Sequence, residues 1–161
     1  MVTKVFFPKI RLQEVVARSG GISREMALAQ ASANMQEISG EGDQIIDAAI
    51  ARIEEIIAAA KGNTIARASL TAILEQADQI VTFAGMFGYS WLDRATRDLC
   101  DIADGLMQAN IDHAAPVMVH ARAVRFFAPS SPKPSDAEAE QVLSELKKIR
   151  VFYDFPSIGQ E

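Results

Sequence analysis

The feature that most constrains this chain is a run of apolar residues spaced three and four apart: Leu70, Ile73, Leu74, Ala77, Ile80, Val81, Ala84 and Phe87, closed by Gly88. That spacing gathers the side chains on one stripe of an α-helix, whereas a strand, alternating every second residue, would scatter them over both faces. A stripe of this length must be buried against other elements. Gly88 supplies the left-handed residue that commonly ends a helix. Ser90, two positions on, reads as the N-cap of a following helix with Trp91, Leu92, Ala95, Leu99, Ile102, Ala103, Leu106 and Met107 on its inner side. So short a connection predicts an antiparallel αα-hairpin.

The flanking segments extend the same pattern. Behind a Ser23 cap, Ala27, Ala31, Met35 and Ile38 recur at helical steps, and Gly40 and Gly42 read as a break. Beyond it, Ile45, Ile46, Ala49, Ile50, Ile53, Ile56 and Ile57 form a second stripe, with Gly62 as its stop. The hairpin's first helix is expected to start near Asn63 or Thr64. Pro116 is tolerable only in a first helical turn, which places a fifth helix over residues 115–127. Residues 129–135 form a proline-rich loop, and Ser135 with its acidic successors opens a last helix carrying Val142, Leu143, Leu146 and Ile149 inward. No strand alternation and no fixed-period repeat competes. The expectation is an all-α antiparallel helical bundle forming one domain over residues 1–161, with residues 1–20 as an N-terminal extension.

Charge and motif content narrow the function. A net charge of −5, without a basic patch interleaved with aromatics, argues against a nucleic-acid partner. One cysteine, Cys100, rules out an internal disulfide and multi-cysteine zinc sites. The opening segment has no continuous apolar core, since Pro8 and Lys9 interrupt it, so the expectation is a cytoplasmic chain with no membrane partner. Phosphate-cradling, dinucleotide, nucleophile-elbow and zincin signatures are missing, so no catalytic residue, metal or cofactor is expected. His113 and His120 lie seven apart, not at the four-residue spacing of a helical metal pair. Cys100, beside Leu99 and Ile102, reads as a small buried hydrophobe, and Asp98, Asp101 and Asp104 read as a solvated helix face.

Residues 77–89 depart from this ordinary pattern. Gly85 sits inside a helix, where glycine costs about 1 kcal/mol relative to alanine, and so suggests close approach of another backbone. Here the chain resembles the histidine phosphotransfer (HPt) family, whose central helix reads Ala-His-x-Leu-x-Gly-x-Ala-Gly-x-Phe-Gly and then an apolar or aromatic residue. Ala77, Ile80, Ala84, Gly85, Phe87, Gly88 and Tyr89 match in register, and Leu92, Ala95 and Leu99 continue the likeness, which covers about residues 45–107. More loosely, the layout resembles the alphaproteobacterial chemotaxis-associated proteins labelled CheE.

The departures matter as much as the matches. Asp78 stands where the family carries its phosphorylated histidine, Thr82 replaces the glycine one turn later, and Val81 holds a position where many members have lysine. A carboxylate cannot form the phosphoramidate of an imidazole nitrogen. The resemblance therefore implies an HPt-like four-helix core and a surface of Asp78, Gln79, Val81, Thr82 and Gly85 that binds a response-regulator receiver domain or a histidine kinase without carrying phosphate. Two alternatives stay open: phosphotransfer through His113 or His120, and a structural domain that self-associates, as a homodimer for example.

Overall fold

The computed structural model describes residues 23–60 and 62–155, and the expected extension at residues 1–20 lies outside them. Among the described residues there are five helices and no strand: α1 (Arg24–Ala58), α2 (Arg67–Phe87), α3 (Ser90–Ala109), α4 (Ala114–Phe126) and α5 (Asp136–Phe152). The all-α class read from the periodicity is the class observed. No helix among these residues is long and apolar enough to cross a membrane.

Packing divides the chain into two compact units, Met1–Glu37 and Ile38–Glu161. In the first, the Ser23 hydroxyl accepts the Met26 N–H at 3.2 Å, as a cap should, and Met26, Leu28 and Met35 are exposed. The second holds the core. Its central element is α3, which touches α2, α4 and α5 and buries Leu92, Ala95, Leu99, Ile102 and Leu106 completely. Ile46, Ile50 and Ile53 of α1, Ile73 and Ile80 of α2, Val117 and Val124 of α4, and Leu143 and Leu146 of α5 complete one continuous cluster. Each such aliphatic side chain contributes about 1.5–3 kcal/mol on burial.

Three boundaries differ from the expectation. Gly40 and Gly42 do not break a helix, because α1 runs through both. A methyl group added at Gly42 would overlap the Phe87 ring edge, so this glycine admits a neighbour and is not a stop. The start of α2 is Arg67, three or four residues later than expected, because the chain before it is tied to a different segment. Ile65 N–H donates to Asp112 O at 2.7 Å, Ala114 N–H to Asn63 O at 2.9 Å, and Thr64 bridges His113. Ser90 is the first residue of α3, with Tyr89 in the cap position. The reversal is already complete by then, since Gly88, at φ 76°, and Tyr89 both return their N–H groups to Ala84 O.

The last helix begins as the sequence suggests. Ser135 Oγ accepts from Glu138 N–H at 3.3 Å, while Glu138 Oε2 accepts from Ser135 N–H at 2.8 Å, which makes a reciprocal capping box. The Ser135 hydroxyl, donating to Glu138 Oε2 at 2.7 Å, and then the Ser135 N–H hold the Glu138 carboxyl below its usual range. Ser135→Ala is expected to lower stability by about 1 kcal/mol. Urea unfolding followed by circular dichroism measures this, and a loss near zero would mean that α5 is held by its buried face alone.

Candidate functional site

Because Leu70, Ile73, Ala77, Ile80 and Ala84 of α2 face the core, the intervening positions face outward. Asp78, Gln79, Thr82 and Gly85 are exposed and Val81 is half-buried, so the five residues singled out from sequence share one accessible strip of α2. The Thr82 hydroxyl turns back along the helix and donates to Asp78 O at 2.9 Å, while the Asp78 and Gln79 side chains stay exposed. Among the described residues Gly85 admits no neighbouring backbone: a Cβ built there meets nothing within 4 Å. The close approach that the glycine suggested is therefore not made by any described residue.

The strip borders a groove of about 390 Å³ between α2 and α3. Leu74, Asp78 and Val81 form one wall, Arg97, Cys100 and Asp104 the other, and Asp101 also lines it. The groove is acidic with an apolar flank. Arg97 is engaged with Asp93 at 2.9 Å. Burial pushes the Cys100 thiol up to about 11, with Asp101 and Asp78 adding to the rise. At neutral pH the sulfur is thus protonated and a poor nucleophile. No group of three or more His, Cys, Asp or Glu side chains among the described residues converges as a metal site.

The two histidines have different surroundings. His120 is fully buried; its Nδ1–H donates to Pro116 O at 2.8 Å, and Nε2 meets no hydrogen-bonding group among the described residues. Burial lowers its pKa to about 4, so the ring is neutral at pH 7. His113 is exposed, yet Nδ1 lies 2.8 Å from the Tyr153 hydroxyl and Nε2 lies 2.6 Å from Asn63 Nδ2. It acts as a clasp between the segment before α2, the start of α4 and the end of α5.

The reading of Asp98 and Asp101 as a solvated face is corrected. Arg150 reaches both, with Nη1 at 2.9 Å from Asp98 Oδ1 and 2.6 Å from Asp101 Oδ2, and both Asp101 and Arg150 are buried. Burial raises the Asp98 pKa despite the nearby guanidinium. One signal was available: Arg150 continues the inner stripe of Leu143 and Leu146 at helical steps, where a charged residue requires a buried partner. Two other ties could not be seen in the sequence. Arg125 makes a forked pair with Glu54 at 2.9 and 2.6 Å, which lowers the Glu54 pKa, and the Tyr89 hydroxyl donates to Asp43 at 2.7 Å. The latter anchors the motif's last residue onto α1.

Compared with known proteins, the chain matches no family model, and no curated protein matches it in sequence.

Proposed function

We propose that this chain is a non-catalytic, HPt-like signalling module whose α2 strip binds a response-regulator receiver domain or a histidine kinase without carrying phosphate. The observation that carries this reading is Gly85. A glycine within a helix costs about 1 kcal/mol, and here it packs against nothing among the described residues. A surface that must admit another molecule's backbone accounts for that cost, and Asp78, Gln79 and Thr82 beside it supply polar contacts.

A phosphotransfer route through the histidines has less support. His120 would have to leave the core to meet a partner, and His113 would have to release Tyr153 or Asn63 before a ring nitrogen became a free nucleophile.

Gly85→Ala separates a binding role from a structural one. The variant is expected to gain up to about 1 kcal/mol in stability, because nothing obstructs the methyl group. Its affinity for the receiver or kinase is expected to fall together with that of Asp78→Arg. Isothermal titration against receivers and kinases from the native cell, paired with thermal unfolding, reads both. If the alanine variant is more stable and binds equally well, or if the wild-type chain binds none of them, the proposal fails.

A further inference from the structure

A second surface, sharing no residue with the α2 strip, lies between α4 and α5. There the two helices leave a groove of about 440 Å³. Its α4 wall presents Val119 and Phe126, each 40% exposed, on either side of Arg122. The α5 wall presents Val142 between Glu138 and Glu145. Steps of three and four residues carry the same α5 face on to Ile149 and then Phe152, which is 82% exposed. Exposed apolar side chains gathered on one surface, unlike ones scattered singly, mark interaction sites.

We infer that this groove is the contact surface of a homodimer, with a second copy of the chain as its occupant. The argument is the distribution of charge. One wall is basic at Arg122 and the other acidic at Glu138 and Glu145. A two-fold axis running along the groove lays each α4 wall over the α5 wall of the other copy. Arg122 then faces the second copy's Glu145 and Glu138 in both halves, and Phe126 and Val119 enter the second copy's groove. A partner helix of uniform charge would instead meet like charge on one wall. Glu138 is committed to its cap, whereas among the described residues Glu145 holds an exposed pair with Lys148, of the weak kind that an interface can displace. Arg122 and Glu145 are therefore the exchangeable pair.

Sedimentation velocity of the full chain over a wide concentration series tests this. The expected result is a reversible monomer–dimer equilibrium. Phe126→Glu should weaken dimerisation by at least about tenfold, since the position lines the groove, is 40% exposed in the monomer, and central apolar anchors dominate such contacts. Arg122→Glu and Glu145→Arg should each weaken it, and the double reversal should restore it. Circular dichroism shows that each variant keeps its helices. A chain that stays monomeric throughout, a dimer indifferent to these changes, or a double variant no tighter than the singles overturns the inference. The α2 strip is read by a separate binding assay, so either proposal can fail alone.

Discussion

Replacing Arg150 by alanine is expected to destabilise the fold by about 3–5 kcal/mol, the cost of removing one member of a buried ion pair. Asp101 is 6% exposed, and Arg150 is its counter-charge at 2.6 Å. Asp98, at 2.9 Å, is already held above its usual pKa by burial. In a chain of this size such a loss lowers the melting temperature by on the order of 10 °C. The deficit should also depend on pH. Without the guanidinium, the folded-state pKa of Asp98 rises further above its unfolded value of 3.8. A raised carboxyl contributes stability that is complete below the unfolded pKa and lost as pH rises through the folded one. Urea titrations should therefore show Arg150→Ala closer to wild type at pH 5 than at pH 8. A second variant separates pairing from packing: Arg150→Met combined with Asp98→Leu and Asp101→Leu should recover most of the loss, because a buried ion pair adds little over apolar groups of similar volume. If Arg150→Ala unfolds within about 1 kcal/mol of wild type, the link between α3 and α5 is not a buried ion pair in solution.

Acid should weaken the protein before its carboxylates titrate, and His120 is the cause. Its folded-state pKa is lowered to about 4 from an ordinary 6.5. A base held neutral in this way contributes stability that is fully present above 6.5 and is lost as pH falls through about 4. The full effect is about 3 kcal/mol, since each tenfold change in a protonation equilibrium corresponds to about 1.4 kcal/mol. Glu54 and Glu138, with lowered pKa values, act only below their usual 4.5, so neither contributes in the interval from 6.5 to 4.5. Asp98 contributes with the opposite sign, and comparison with a His120→Leu variant cancels its share. That variant also removes an Nε2 buried without a hydrogen-bonding partner among the described residues. It is expected to match wild type in stability at pH 7.5, within about 1 kcal/mol, and to lose the fall between pH 6.5 and 4.5. Equal acid sensitivity in both chains would show that His120 protonates in place.

Much of the candidate strip was legible in the sequence because helical periodicity is a local property. Once Ala77, Ile80 and Ala84 face inward, Asp78, Gln79, Thr82 and Gly85 must face outward. What stands opposite them was not legible. Cys100 and Asp104 join Asp78 across a groove only after α3 folds back on α2 in a particular register. Glycine was the least legible residue type. Gly85, expected to accommodate a neighbouring backbone, faces open space, while Gly42, expected to end a helix, lies under Phe87. A missing side chain leaves the same mark in the sequence in either case, and only the neighbour distinguishes them.

By itself, the sequence determined the helical class, the reversal at Gly88 and the capping box at Ser135, each set by residues within a few positions of one another. The tertiary structure alone decided which charges are buried and which histidine is neutral. Asp101 is read as a surface carboxylate until Arg150, 49 residues away, closes over it. His120 is read as an ordinary imidazole until burial within α4 removes its water. The reason is physical: hydrogen bonding along a helix depends on near neighbours, whereas the free energy of a charge depends on everything that displaces solvent around it.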